Sequence, residues 1–278
     1  MKRYAPPAYG QHFLHDKNIL GLIVRAADLA PGDEVLEIGA GTGRLTEMVL
    51  AAGVKVTAVE VDAGLHPDLE EKFAGNPSLR LIKGDALRMP WEDLLPPEGR
   101  AIALGNLPYA ISTQILFKVL ENRDRVRRAV FLVQWEVAVR MAADHGGKEY
   151  GILSVACQLF GKPVIVRKVP PTVFLPPPRV DSALVRWDIL EDALYPMPDR
   201  LFTMSVVKAA FGQRRKKLVN SLAAGFPTVG KEKLGQIISE MELVPTVRAE
   251  QLSVGEFADL STRMHKIVGN SPRETVKR

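Results

Sequence analysis

A glycine-rich segment near the start of the chain has the composition of a loop that binds a nucleoside. Residues 37–46 read Glu-Ile-Gly-Ala-Gly-Thr-Gly-Arg-Leu-Thr. Glycines in such a loop allow a sharp turn and a closer approach to a ligand than a Cβ would permit. The spacing is G-x-G-x-G because position 44 is Arg, whereas dinucleotide sites have G-x-G-x-x-G. The segment therefore disfavours a pyrophosphate-binding dehydrogenase, and by itself it also fits a purely structural turn.

Two acidic residues further along the chain can complete a nucleoside site. Glu60 ends an apolar run and can accept hydrogen bonds from both hydroxyls of a ribose. Asp85 follows the next apolar run and can accept a bond from an adenine amino group. Ligands of open α/β sheets bind at the carboxyl ends of the strands, where both acids are expected. Nucleoside-binding groups without a phosphate cradle indicate S-adenosylmethionine as the cofactor.

The segment Asn106-Leu107-Pro108-Tyr109 follows another apolar run and has the form Asp/Asn-Pro-Pro-Tyr/Phe, with Leu in the second place. This pattern is typical of enzymes that methylate amino groups conjugated to an aromatic ring. The Asn106 side-chain oxygen and the carbonyl of Leu107 or Pro108 can accept the two N–H bonds of such an amine. Tyr109 supplies a stacking face. No general base is required, because the nitrogen becomes acidic only after it gains the methyl group.

The elements that must position these residues alternate between short apolar runs and helical patterns. The runs lie at 34–38, 54–59, 79–82, 101–104 and 129–133, and they are typical of strands buried on both faces. Their alternation with helices predicts right-handed crossovers and a parallel, doubly wound sheet. Two later runs, 164–169 and 183–187, flank the proline-rich segment 170–178 and predict a hairpin-like pair at the sheet edge.

The pattern changes after about residue 188: residues 190–198, with two prolines, are expected to form a connector, and only helical periodicity follows from residue 201. The predicted helices cover 201–211, 214–224, 231–242 and 253–268, and the last begins with a capping box of Ser253 and Glu256. We therefore predict a Rossmann-like S-adenosylmethionine methyltransferase domain of the α/β class over residues 1–189. A small all-helical domain is predicted over 190–278.

The charge of the chain is concentrated in this helical tail. The formal net charge is +5, with 37 Lys and Arg against 32 Asp and Glu. Residues 190–278 contain 14 Lys and Arg and 10 Asp and Glu, a difference of +4. The densest basic run, 214–217, is predicted to open a helix, where some of its cations are available for phosphates.

The order of these motifs resembles that of the rRNA adenine N6,N6-dimethyltransferases, and the resemblance spans nearly the whole chain. Residues 10–14 (Gly-Gln-His-Phe-Leu) resemble the family's G-Q-N-F-L, which closes over the cofactor. Residues 174–182 resemble its F-x-P-x-P-K-V-D-S. Residues 211–222 resemble its F-x-x-R-R-K-x-L-x-N-x-L helix.

The resemblance implies methyl transfer from S-adenosylmethionine to N6 of two adjacent adenosines in the 3′-terminal hairpin of small-subunit (16S) rRNA, with a role in ribosome small-subunit biogenesis. The partner would be this rRNA or the assembling subunit, and the enzyme a cytoplasmic monomer. The implied catalytic residues are Asn106, Leu107, Pro108, Tyr109 and Phe174, with the Phe174 ring facing the target base opposite Tyr109. The implied cofactor-binding residues are Gln11, His12, Leu14, Gly39, Gly41, Glu60, Val61, Asp85, Ala86 and Asn106. RNA binding is expected of Arg179, Arg214, Arg215, Lys216 and Lys217.

Five positions depart from the family pattern. His12 and Ala110 stand where Asn is usual, Gln114 where Pro is usual, Trp135 where Lys is common, and Ile152 where Arg is often found. We expect Trp135 and Ile152 to weaken RNA contacts along their rim. None of the five residues is expected to alter the chemistry.

Other classes of protein are less compatible with the sequence. The single cysteine, Cys157, excludes an internal disulfide and fits a reducing compartment. The five histidines show no metal-binding spacing, and no apolar run approaches the roughly 20 residues of a membrane span. Three alternatives stay open: a resistance-type methyltransferase of large-subunit rRNA, a DNA adenine methylase, and a non-catalytic RNA-binding assembly factor.

Overall fold

The computed structural model describes residues 11–213 and 215–268. Its contacts divide the chain into two units. The first contains residues 11–139 together with Gly161–Glu191, and the second contains Arg140–Phe160 together with residues 192–268. Each unit has its own set of secondary-structure elements.

The first unit is built on a seven-stranded sheet within the described residues. Its strands are β2 (Glu34–Ile38), β3 (Lys55–Glu60), β4 (Leu79–Lys83), β5 (Ala101–Asn106), β6 (Val126–Gln134), β7 (Pro163–Val169) and β9 (Ser182–Asp188). They are ordered β4-β3-β2-β5-β6-β9-β7. The first five in this order are parallel, and β9 runs antiparallel to both of its neighbours. The predicted α/β class and the predicted edge pair are therefore confirmed.

Helix α1 (Lys17–Ala27) precedes β2, and α2 (Arg44–Leu50), α3 (His66–Lys72) and α4 (Ser112–Glu121) connect strands of this sheet. Helix α1 begins where the Asp16 carboxylate accepts the backbone N–H groups of Asn18 and Ile19, at 2.8 and 3.0 Å. Its apolar stripe buries Leu20 and Ile23 in one core with residues of the central strands. Helix α1 thus packs against the sheet whose loops form its carboxyl edge.

A second, two-stranded sheet pairs the start of the described chain with the proline-rich segment. Strand β1 (Phe13–Leu14) is antiparallel to β8 (Phe174–Leu175), with Leu14 opposite Phe174. The N–H of His15 extends the pairing by donating to the Val173 carbonyl at 3.1 Å. This pairing fixes residues 11–15 beside the loop that precedes β9.

The second unit is helical in its regular elements. It contains α6 (Ile152–Gln158), α7 (Arg200–Phe211), α8 (Leu218–Gly225), α9 (Lys231–Glu240) and α10 (Val254–Val268), and α5 (Trp135–Ala142) ends in it. The Phe211 ring lies 6.1 Å from the Tyr150 ring and 5.6 Å from the Phe257 ring. Residues 140–160 therefore group with the C-terminal helices. The sequence prediction instead places these residues in the first of two consecutive domains. A local apolar pattern cannot show which distant helices a segment will contact.

The helix boundaries in this unit match the sequence prediction at α10 but not at α8. The Ser253 N–H donates to Glu256 Oε2 at 2.7 Å and the Glu256 N–H donates to Ser253 Oγ at 3.2 Å, so the capping box is confirmed. Helix α8 begins at Leu218 rather than at residue 214, because Lys217 has extended backbone angles and caps the helix. The prediction that the basic run opens a helix is therefore wrong. Arg215, Lys216 and Lys217 precede α8 and are exposed, while Arg214 lies outside the described residues.

Within the described chain, none of the helices has the length and apolarity needed to cross a membrane.

Candidate active site at the carboxyl edge of the sheet

A cavity opens in the first unit where β2, β3, β4 and β5 end, the place where open α/β sheets bind ligands. It is lined by all the residues that the resemblance implies for the cofactor, which are Gln11, His12, Leu14, Gly39, Gly41, Glu60, Val61, Asp85, Ala86 and Asn106. Leu107, Pro108 and Tyr109 line it too. Residues from five separate loops therefore converge on one space.

The Glu60 carboxylate holds the glycine loop in place. It is 2% exposed, and its Oε2 accepts the backbone N–H of Gly41 at 2.7 Å. Its Oε1 accepts the Asp62 N–H at 2.9 Å and the Gln11 side-chain amide at 3.4 Å. Gly41 has a left-handed φ of 59°, which favours glycine, and a Cβ there would lie 3.4 Å from the Phe13 ring. A carboxylate has about four acceptor positions, so Glu60 retains capacity for a ligand hydroxyl.

Glu37 is a buried acid that lines the same cavity. It has no solvent exposure, and neither of its carboxyl oxygens has a hydrogen-bond partner among the described residues. Burial raises the pKa of this carboxyl to about 8, and the negative charge of Glu60 adds to the increase. Thr46, which is near the carboxyl but outside hydrogen-bond geometry, and the more distant charge of Lys72 only partly oppose it. In the sequence, Glu37 is only the residue before the last of a predicted strand. Its recognisable signal is an acid two positions ahead of the first glycine of the loop.

Asp85 lies in a turn that a buried tryptophan supports. Its Oδ1 accepts the Leu87 N–H at 2.9 Å, and its Oδ2 lies 3.5 Å from Nε of Arg88, whose side chain is exposed. The Trp91 indole N–H donates to the Ala86 carbonyl at 2.9 Å and fixes the turn from below. Asp85 thus retains acceptor capacity toward the cavity, as an adenine amino group requires.

The Asn106–Tyr109 turn lies directly after β5. Gly105 permits it, because a Cβ at this position would lie 2.3 Å from the Ile38 carbonyl oxygen. The Asn106 side-chain Nδ2 donates to the His12 carbonyl at 2.7 Å, which leaves Oδ1 as the acceptor for another molecule. The Pro108 carbonyl already accepts the Ile111 N–H at 3.1 Å.

Tyr109 is half-buried and is oriented by its hydroxyl. The Tyr109 hydroxyl lies 2.7 Å from the Ser182 hydroxyl at the start of β9. Burial raises the pKa of the Tyr109 phenol, so the group stays protonated at neutral pH. The His12 ring is 5.6 Å from the Tyr109 ring, and His12 Nδ1 is 2.8 Å from the Pro176 carbonyl oxygen. His12 therefore contributes both its carbonyl and its ring to this corner of the cavity.

Phe174 is not brought to the cavity. It is 2% exposed and packs in the core with Leu14, its partner in the β1–β8 pairing. The expectation that its ring faces a target base opposite Tyr109 disagrees with this position. Pairing with β1 turns the Phe174 side chain inward, and the neighbouring Leu175 is 57% exposed instead.

The charged residues expected to bind RNA are exposed where they are described. Arg179 lies in the loop before β9 in the first unit, and Arg215, Lys216 and Lys217 lie between α7 and α8 in the second. No group of three or more His, Cys, Asp or Glu residues in the described chain is arranged to hold a metal ion.

The fold and the site define a Rossmann-like methyltransferase that uses S-adenosylmethionine. The site fits this cofactor because it combines acids suited to a nucleoside with a buried, unpartnered carboxyl that a cationic group can satisfy. A family model of ribosomal RNA adenine dimethylases matches residues 4–266, and the chain belongs to that family.

Individual relatives cover nearly the whole chain. Ribosomal RNA small subunit methyltransferase A of Moorella thermoacetica is 42% identical over 261 residues, which span 91% of this chain and 90% of that protein. The protein of the same name from Geobacter metallireducens is 40% identical over 267 residues, spanning 95% and 97%. Among solved structures, a dimethyladenosine transferase from Plasmodium falciparum superposes with a TM-score of 0.81 at 26% identity, covering 93% of this chain and 98% of that one.

Proposed function

We propose that this ribosomal RNA adenine dimethylase transfers methyl groups from S-adenosylmethionine to N6 of two adjacent adenosines in the 3′-terminal hairpin of small-subunit rRNA. The observation that carries the proposal is the Asn106–Tyr109 turn at the edge of the cavity. The side-chain nitrogen of Asn106 donates to the His12 carbonyl, so the side-chain oxygen of Asn106 is the acceptor that an exocyclic amino group needs. The curated relatives of similar length are named for the small subunit, which supports the choice of rRNA.

The cofactor would be held by residues of the three loops that follow β2, β3 and β4. Gly39 and Gly41 leave room for its close approach, Glu60 accepts from the ribose, and Asp85 accepts from the adenine. Glu37 faces the same cavity and can pair with a cationic group. When bound, S-adenosylmethionine supplies an electrophilic methyl group, so that an N–CH₃ bond forms, the S–CH₃ bond breaks and one proton leaves the nitrogen.

The contribution of the chain to the reaction is positioning and electrostatic. The Asn106 oxygen and a backbone carbonyl accept the two N–H bonds of the adenine amine, which directs its lone pair toward the cavity. We assign the backbone role to Leu107, because the Pro108 carbonyl already accepts the Ile111 N–H. Tyr109 stacks on the base, and its neutral phenol places no negative charge there.

The alternatives differ in substrate or in chemistry. A resistance-type enzyme acting on large-subunit rRNA would use the same cofactor cavity, and a DNA adenine methylase would need a sequence-reading surface. A non-catalytic assembly factor would not need Gly41, Glu60, Asn106 and Tyr109 to converge in one site.

As part of the proposal, the enzyme acts in the cytosol as a monomer, on the assembling small subunit. The unpaired thiol of Cys157 fits that compartment.

The decisive experiment uses labelled S-adenosylmethionine with immature small subunits and, separately, immature large subunits. Primer extension then maps each modified adenosine. We expect two adjacent dimethylated adenosines near the 3′ end of the small-subunit rRNA. Dimethylation confined to the large subunit would overturn the proposal.

A further inference from the structure

Trp135 follows β6 immediately and is anchored to the loop before β9. Gln134, the last residue of β6, is paired with Ser182. The Trp135 N–H then donates to the Asp181 carbonyl at 3.0 Å and extends this pairing by one residue. The backbone of Trp135 is therefore held in place by a continuation of the β6–β9 pairing.

This anchoring places Trp135 next to the proposed target-base site. Ser182, which is hydrogen-bonded to the Tyr109 hydroxyl, directly follows the Asp181 to which Trp135 is paired. From ordinary strand spacings, the Trp135 backbone lies roughly 6 Å from that of Ser182. A nucleotide adjacent to one stacked on Tyr109 would lie within reach of Trp135.

The chain has three tryptophans, and they differ in exposure. Trp91 and Trp187 are 1% and 0% exposed, whereas Trp135 is only partly buried. Trp187 lies within β9, and Trp91 supports the Asp85 turn. Trp135 is thus the tryptophan that retains accessible surface, and an indole is a large stacking group.

The charge beside this ring suits a polyanion. Lys168 Nζ lies 5.1 Å from the centre of the Trp135 ring and 2.8 Å from Asp181 Oδ2. The Asp181 carboxylate is therefore paired with a cation, and the exposed Arg167 and Arg179 add positive charge on the neighbouring segments, against the exposed Glu136 that follows Trp135. Accessible aromatic surface beside cations is the combination that single-stranded nucleic acids bind.

We propose that Trp135 and Lys168 form a nucleotide subsite in which the indole stacks on a base flanking the target adenosine. The subsite rests on the proposed function, because it requires an RNA substrate with unpaired bases beside the target. It reverses the expectation that Trp135 weakens RNA contacts: the residue contributes stacking where a lysine would contribute charge.

Intrinsic fluorescence provides a direct test, because the other two tryptophans are buried. A short single-stranded RNA containing two adjacent adenosines is titrated into the protein. We expect the tryptophan emission of the unaltered protein to be quenched as the RNA binds. The Trp135→Phe variant should bind the same RNA within a few-fold by anisotropy of a labelled strand, yet show no quenching.

Substitution separates stacking from mere proximity. Trp135→Ala should weaken RNA binding roughly 5- to 150-fold, the range expected for loss of one base–aromatic stack. The matched control is Val164→Ala, which removes a side chain that is 52% exposed near the other end of β7 from Lys168. It should bind RNA like the unaltered protein, and both variants should bind S-adenosylmethionine normally if they are folded.

The subsite would be disproved if Trp135→Ala bound the RNA as tightly as the unaltered protein and RNA caused no quenching. If the unaltered protein still dimethylated small-subunit rRNA in that case, the proposed function would stand without the subsite. Conversely, RNA could quench the fluorescence of the unaltered protein and Trp135→Ala could weaken RNA binding while the unaltered protein methylated no small-subunit rRNA. That result would retain the subsite and refute the proposed function.

Discussion

The side chain of Asn106 donates from Nδ2 to the backbone carbonyl of His12 at 2.7 Å, across 94 residues of sequence. This bond fixes the orientation of the amide and leaves Oδ1 as its acceptor atom. The motif after β5 and the motif at the start of the described chain are therefore two halves of one site. The β1–β8 pairing that holds residues 13 and 14 in place also holds the donor–acceptor geometry of Asn106.

Replacing Asn106 tests whether its oxygen positions the amine. Asn106→Ala should lower the rate of methyl transfer roughly 100- to 1,000-fold, the effect expected for one preorganised polar group that acts on the transition state. Asn106→Asp should be impaired as well, because a carboxylate oxygen would then face the His12 carbonyl oxygen. Single-turnover methylation measures both rates. RNA affinity should stay within a few-fold, and normal transfer by Asn106→Ala would refute the role.

The bond between Tyr109 and Ser182 allows a double-mutant cycle. Tyr109→Phe and Ser182→Ala each remove the same hydrogen bond, so each should slow transfer by roughly 3- to 10-fold. The double variant should be no slower than either single variant, because the interaction is already lost. Tyr109→Ala should lose far more, since it also removes the stacking ring. Additive losses in the double variant would show that the two hydroxyl groups act separately.

Loss of the Glu60 carboxylate should disorder the glycine loop as well as the ribose contact. Glu60→Gln can accept through only one oxygen, so either the Gly41 or the Asp62 N–H loses its partner. Charge-assisted bonds of this kind contribute about 1.5–3 kcal/mol, so the dissociation constant of S-adenosylmethionine should rise roughly 10- to 150-fold by calorimetry. Asp62→Asn is the matched control. It lies two residues away and can still accept the Gly64 N–H, so its affinity should be unchanged.

Glu37 predicts a specific dependence of stability on pH. Its pKa is about 8 in the folded protein and 4.5 as the ordinary value, so the folded state binds the extra proton between these limits. The free energy of unfolding should therefore fall as pH rises through about 4.5 to 8, by as much as roughly 5 kcal/mol. The Glu37→Gln variant has no carboxyl group to titrate at this position, so its stability should not fall in this way. It should become more stable than the unaltered protein as pH rises. Urea unfolding at pH 5 and pH 9, without cofactor, measures the difference. If the difference in unfolding free energy between the two proteins were the same at pH 5 and pH 9, Glu37 would not be protonated in the folded protein.

The basic run before α8 should contribute to the salt dependence of RNA binding. Replacing Arg215 and Lys216 with Ala removes two exposed cations. The slope of log K against log salt should become shallower by roughly 1 to 2, since each lost phosphate contact accounts for about 0.7–0.9. Replacing the exposed Lys231 and Lys233 of α9 removes the same charge elsewhere in the unit. Equal slopes for the two double variants would assign the effect to net charge and not to this run.

The features that the sequence predicts well are those encoded by neighbouring residues. The seven strands of the main sheet, the glycine loop and the capping box of Ser253 and Glu256 depend on local patterns of polarity and backbone preference. The positions of Glu60, Asp85 and Asn106 follow from the same patterns, because parallel strands end at one edge of a sheet. The start of α8 was predicted wrongly because helical periodicity alone does not reveal the extended backbone of Lys217.

By itself the sequence determined the α/β class, the cofactor and the motif that carries the chemistry. Only the tertiary structure decided that Phe174 is buried, that the Glu37 carboxyl oxygens have no hydrogen-bond partner in the described chain, and that Trp135 and Asp181 both contact Lys168. Such outcomes depend on contacts between residues far apart in the chain. Whether a side chain becomes core, ligand or surface is set by what packs against it, and a local pattern does not contain that information.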